Sequence, residues 1–188
     1  MTKLIAAIGL GFMLAASLIS ASAAEAANNL VLEVSSGGQV RKVVIRLRPD
    51  LAPQHVARVE KLAQEKFYDG IVFHRVLRNF MAQSGDPTGT GTGGSKYPDL
   101  PAEFTQAPFK RGTIGAARTA NPNSANSQFF ICFTNTGCSH LAGQYTVWGQ
   151  VVSGMEAIDT LRTGDPNRGG MVPRPDKIVR AYIEPATN

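Results

Sequence analysis

One segment of the chain combines residue types that do not ordinarily sit together: Phe73-His74-Arg75-Val76-Leu77-Arg78-Asn79-Phe80-Met81-Ala82-Gln83-Ser84-Gly85-Asp86. Arg75 stands among large apolar side chains in a stretch with strand-like alternation. Burying a guanidinium beside Phe and Met is costly unless the charge is paired or used. A second segment, Ser127-Gln128-Phe129-Phe130-Ile131-Cys132, repeats the mixture of one polar side chain and aromatic packing. Period-2 alternation puts Met81 with Gln83, and Gln128 with Phe130, on one face of their strands. It also puts Phe73 on the face of Arg75, and His74 on that of Val76. Phe129 and Ile131 then point inward. Arg75, Met81, Gln83, Gln128 and Phe130 are thereby expected to line one outer, apolar groove carrying a fixed cation and two amides.

Other chemistries fit poorly. His55, His74 and His140 are far apart and lack metal-ligand spacing. Gly89-Thr90-Gly91-Thr92-Gly93-Gly94 formally contains GxGxxG, but it runs into Ser95-Lys96-Tyr97-Pro98 and not into a helix. The dinucleotide reading needs a strand before the motif and a helix after it. No Ser or Cys stands beside a base that would activate it as a nucleophile.

The elements that must position these residues are short. Leu30–Val34 and Val40–Leu47 flank Ser35-Ser36-Gly37-Gly38 as a hairpin. Pro53 opens a helix with Val56, Val59, Leu62 and Ala63 on one side. Strands are expected at Ile71–Val76, Phe80–Ser84, Thr113–Ala117, Gln128–Phe133, Thr146–Val152 and Ile178–Ile183. A second short helix is expected around Met155–Leu161, and residues 85–108 read as irregular loop. Many short strands and two helices predict a mainly β fold, a closed antiparallel barrel capped by the helices.

The chain has 188 residues and a 43% apolar composition, which suits one domain. Residues 1–23 read as a signal peptide. Lys3 is the positive n-region, Leu4–Ile19 the apolar stretch and Ala21-Ser22-Ala23 the cleavage pattern; cleavage after Ala26 is the alternative. The remaining domain is 27–185, placed in the periplasm or secreted. Losing Lys3 takes the formal charge from +5 to +4. The cations are scattered and not interleaved with aromatics, which argues against nucleic acid as a partner. Cys132 and Cys138 are equally readable as a disulfide or as a packed strand thiol and a loop thiol.

Taken together, Phe73-His74-Arg75, Phe80-Met81-Ala82-Gln83-Ser84-Gly85-Asp86, Gly91-Thr92-Gly93-Gly94 and Ser127-Gln128-Phe129-Phe130-Ile131 resemble the motifs of cyclophilin-type peptidyl-prolyl isomerases, over residues 30–184. The resemblance implies an eight-stranded barrel with two helices and a cofactor-free isomerase of X–Pro bonds that assists folding of exported proteins. It implies Arg75 as the catalytic donor, with Gln83 and Phe80 beside it. Phe80, Met81, Phe130 and Leu141 would hold the proline ring. Gln83, Gly91, Thr119, Ala120, Gln128, His140 and Tyr145 would complete the binding of an extended, proline-containing peptide by a monomer. His140 stands where eukaryotic members usually have Trp, and Tyr145 where many have His, so cyclosporin binding is expected to be weak. Arg118-Thr119-Ala120 replaces an Ala-Asn-Ala-like run, as bacterial exported members often do. The rival readings are a non-catalytic proline-peptide chaperone of the same fold and a lipocalin-like ligand barrel.

Overall fold

The computed structural model describes residues 27–186; the expected signal peptide lies outside the described residues. Eight strands form one antiparallel sheet: β1 (Asn29–Ser36), β2 (Gln39–Leu47), β3 (Arg75–Leu77), β4 (Met81–Ser84), β5 (Thr113–Ala116), β6 (Phe129–Cys132), β7 (Val147–Ser153) and β8 (Lys177–Glu184). Their order is β3-β4-β6-β5-β7-β2-β1-β8. The helices are α1 (Pro53–Gln64) and α2 (Met155–Asp159). The β1–β2 hairpin turns at Gly37 and Gly38, with φ of 57° and 78°. A two-residue turn with both φ positive matches the right-handed twist of the strands it joins.

The sheet is curled but not a closed barrel, contrary to the expectation from sequence. Its end strands β3 and β8 form no ladder; one isolated bridge, Val72↔Lys177, joins the two edges. The reason is local. β3 is three residues long, and its outer edge is taken by the irregular segment 164–172. Val76 N–H donates to Gly170 O at 2.9 Å, and Gly164 N–H to Val76 O at 2.9 Å. That pairing covers an edge which would otherwise be exposed.

Phe73 departs from the expected alternation as well. The strand begins at Arg75, so Phe73 is not on the face of Arg75; it is 1% exposed and belongs to the main core. His74 and Val76 are both buried, as alternation predicted. The core fills the inside of the curl. Its row Val76–Ala82–Ile131–Ile114 crosses β3, β4, β6 and β5 with every member 0% exposed. Tyr68, Phe129 and Trp148 stack edge to face, with centroids 5.8 and 5.7 Å apart, an arrangement that suits the quadrupoles of the rings.

Helix α1 buries His55, Val56, Val59, Leu62 and Ala63. Ala52 at its N-cap offers no side-chain acceptor. The Glu103 carboxylate replaces it, accepting the N–H groups of Gln54 and His55 at 3.0 Å each. Glu103 also accepts from His55 Nδ1 at 2.5 Å, which ties the long loop before β5 to the helix.

Candidate active site

The outer face of the sheet carries the chemistry. Arg75 on β3 pairs with Gln83 on β4, Gln83 with Phe130 on β6, and Phe130 with Gly115 on β5. Directly opposite residues share a face, so register alone places the cation, the amide and the ring in one row. The next row, Leu77–Met81–Cys132, continues the apolar wall. Met81, Phe109, Phe130, Cys132, Cys138, Leu141 and Val147 form a second buried cluster on this side, with Phe80 and Tyr145 packed against it. Gly115 makes room for the aromatic pair: a Cβ there would approach Phe109 Cε1 to 2.8 Å. Phe109 and Phe130 stack with centroids 5.7 Å apart.

Two cavities open on this face. The smaller, about 120 Å³, is lined by Arg75, Phe80, Met81, Phe130, Leu141 and Tyr145. The larger, about 470 Å³, runs past Gly91–Ser95, Asp99, Thr119, Ser124, Asn126 and Gln128. Gln83, Ala117 and Arg118 line both, so the two are one continuous groove.

Arg75 is held by neutral groups. Its Nε donates to Gly169 O at 2.8 Å and its Nη1 to Gln83 Oε1 at 3.3 Å. The Phe80 ring centroid lies 6.0 Å from its guanidinium carbon. Among the described residues no carboxylate pairs with it. Burial lowers its pKa, with the Tyr145 hydroxyl opposing, but a guanidinium so placed stays charged. The hydrogen bonds then continue in one direction. Gln83 Nε2 donates to Gln128 Oε1 at 2.9 Å, and Gln128 Nε2 donates to Gly91 O and Gly93 O at 3.0 and 2.8 Å. Since Arg75 only donates, each amide orientation downstream is fixed.

The glycine-rich loop at the end of this chain is built around a carboxylate. Asp86, 1% exposed, accepts from Thr88 N–H (2.7 Å), Thr88 Oγ1 (2.8 Å), Thr90 N–H (3.1 Å) and Gly91 N–H (2.6 Å). Clustered backbone N–H groups make an anion cradle, and here the protein fills it with its own side chain. Burial alone would raise the Asp86 pKa, but the hydrogen bonds from Thr88, Gly93 and Gly91 outweigh it and hold it at about 2. A depressed carboxylate stabilises the fold above its unfolded pKa and loses that contribution as pH falls toward its folded one. Asp86→Asn is therefore expected to cost on the order of 2 kcal/mol at pH 7. Urea unfolding of both proteins between pH 7 and pH 2 should show the difference shrinking as the pH approaches 2.

Cys132 and Cys138 form a disulfide with Cα atoms 6.1 Å apart. It ties β6 to the segment that carries His140 and Leu141 at the rim of the smaller cavity. Closing so short a loop is worth roughly 2 kcal/mol in the chain-entropy model. A dithiol reductant, or the double variant Cys132→Ala/Cys138→Ala, is expected to lower the urea midpoint accordingly and to raise KM more than it lowers kcat.

Most expected site residues are brought together. Arg75, Phe80, Met81, Gln83, Phe130, Leu141 and Tyr145 surround the smaller cavity; Gly91, Thr119 and Gln128 line the larger. Ala120 is exposed and lines neither. His140 is exposed and stacks on Phe80, centroids 5.8 Å apart, outside the lining. The sequence reading missed several contributors: Ala117 and Arg118 in both linings, Ser95, Asp99, Ser124 and Asn126 in the larger one, and the carbonyl of Gly169, which reaches Arg75 from 94 residues away. Arg118-Thr119 was visible as a departure from the usual pattern, a signal that pointed to it. A backbone carbonyl leaves none.

A fixed cation with spare donors at the mouth of a cavity, continuous with a longer groove, suits an extended ligand whose apolar group is held beside a hydrogen-bond donor. Comparison with known proteins gives the family. The family model described as "Cyclophilin type peptidyl-prolyl cis-trans isomerase/CLD" matches residues 30–183. A Brucella suis protein named a probable peptidyl-prolyl cis-trans isomerase is 51% identical over 179 residues, 89% of this chain and 88% of that one. Peptidyl-prolyl cis-trans isomerase B of Bacillus subtilis is 42% identical over 125 residues, 66% of this chain and 85% of that one. A crystal structure of a Cryptosporidium parvum cyclophilin-type isomerase superposes with a TM-score of 0.75 at 25% identity, over 86% of this chain and 99% of that one. A second structure of the Cryptosporidium protein, in the presence of the dipeptide Ala-Pro, superposes with a TM-score of 0.73. The chain belongs to the cyclophilin-type peptidyl-prolyl cis-trans isomerases, and its activity is the isomerisation of X–Pro peptide bonds.

Proposed function

We propose that the protein isomerises X–Pro bonds of extended polypeptides with Arg75 as the donor that stabilises the twisted amide. The observation that carries this reading is the Arg75 guanidinium, fixed by Gly169 O and Gln83 at the mouth of an apolar cavity and, among the described residues, paired with no carboxylate. Rotation about the amide faces a barrier of about 18–20 kcal/mol because conjugation between nitrogen and carbonyl must be lost. As conjugation is lost the prolyl nitrogen becomes pyramidal and its lone pair, until then shared with the carbonyl, localises on it. A donor aimed at that nitrogen binds the transition state better than either ground state, which is what accelerates a reaction. Arg75 has N–H groups left for this once its own two bonds are made.

The proline ring sits among Phe80, Met81, Phe130 and Leu141, which bury it without competing hydrogen bonds. Gln83 orients Arg75 and contacts the peptide backbone. Gly91, Thr119, Ala120 and Gln128 run along the extended peptide, and His140 and Tyr145 border it. The Ala-Pro dipeptide present with the Cryptosporidium relative supports this choice of ligand. Cyclosporin binds weakly, since His140 offers no indole donor. The deciding experiment follows cis-to-trans exchange of a short Ala-Pro peptide with the purified mature protein. Binding of the peptide without acceleration would favour the chaperone reading instead.

The protein works outside the cytoplasm as a monomer, assisting the folding of exported chains. The leader over residues 1–23 supports export. So does the Cys132–Cys138 disulfide, since such bonds persist in oxidising compartments.

A further inference from the structure

Arg118 lines both cavities and so stands where they join. Its guanidinium is immobilised. Nε and Nη2 donate to Gln144 O at 3.2 and 2.9 Å, and Nη1 donates to Thr119 O at 2.9 Å. Its central carbon lies 4.4 Å from the Tyr145 ring centroid and 5.7 Å from that of Phe104. These partners fix position without neutralising charge. Among the described residues no carboxylate pairs with Arg118, whereas Arg111 on the same domain is matched by Asp159 and Arg48 by Asp50. The one carboxylate in the groove lining, Asp99, is engaged by Asn126 Nδ2 at 2.9 Å. Of the five N–H groups of a guanidinium, three are used here, leaving one on each Nη.

A pinned cation with spare donors and no internal counterion is complementary to an anion supplied by the ligand. Arg75 is committed to the prolyl amide; Arg118 is not. We infer that Arg118 is a specificity determinant that favours substrates carrying an Asp or Glu side chain close to the isomerising proline, on the side where the peptide enters the larger cavity. This inference rests on the isomerase reading of the groove. Pinning removes most of the entropy cost that weakens ordinary surface ion pairs.

The test uses matched proline peptides bearing Glu, Gln or Lys two residues before the proline, and a second set with the same substitutions two residues after it. In one of the two sets, kcat/KM for the Glu peptide is expected to exceed that for the Lys peptide by about tenfold at low salt, shrinking as salt screens the pair. In Arg118→Gln the Glu-to-Lys ratio should fall to near one, and Arg118→Lys should restore part of it. A role confined to bracing Tyr145 would change all peptides alike and leave the ratio intact. No charge preference in either set, or a preference that survives in Arg118→Gln, overturns the inference. Absence of acceleration with the Gln peptides would instead overturn the isomerase reading.

Discussion

Arg75→Ala is expected to lower kcat/KM toward an Ala-Pro peptide by about 10²- to 10³-fold, the usual effect of deleting one preorganised donor to a transition state. The loss should fall on kcat, because the apolar walls that hold the proline ring remain. Arg75→Lys is not expected to rescue it. The guanidinium holds Gly169 O with Nε and Gln83 with Nη1 at the same time, and a single ammonium cannot reproduce that fork. Thermal unfolding should change little, since Arg75 is only partly buried and its partners are neutral. Equal exchange rates for wild type and Arg75→Ala would remove Arg75 from the mechanism.

Phe130→Ala is expected to damage stability and activity together. Phe130 is 4% exposed, stacks on Phe109 and meets Tyr145 edge to face at 5.7 Å. Truncating a buried Phe costs about 3–5 kcal/mol. For a domain of this size that corresponds to a fall in Tm of roughly 6–20 °C. Activity should fall mainly through KM, because the cavity loses the ring that forms its floor. Phe130→Leu, which refills part of the volume, should recover most of the stability and less of the activity. An unchanged Tm in the alanine variant would show that the outer aromatic cluster does not hold the fold.

The strands that position the site were legible because their residues alternate. Phe129 and Ile131 point into the core and Phe130 and Gln128 away from it, as period-2 reading requires. The same rule failed at Phe73, because β3 starts only at Arg75 and the preceding residues follow an irregular path into the core. Closure of the sheet was illegible for a related reason. What covers β3 is a loop whose backbone groups pair without any side-chain pattern, so nothing in the sequence of 164–172 announces it. The formal GxGxxG stretch is followed by no helix, and the N–H groups of Thr88, Thr90 and Gly91 close around Asp86. Pairing across long separations, such as Glu103 with α1, cannot be read from local periodicity at all.

That last contact bears on the order in which the chain acquires its shape. The first turn of α1 has no acceptor of its own and borrows one from 48 residues further along. A helix usually counts as an early, autonomous event, since its contacts are local. Here its beginning is completed only after a long loop has closed and brought Glu103 back, with the entropy cost that such closure carries. The start of α1 thus gains its capping acceptor only when the loop that carries Glu103 is in place.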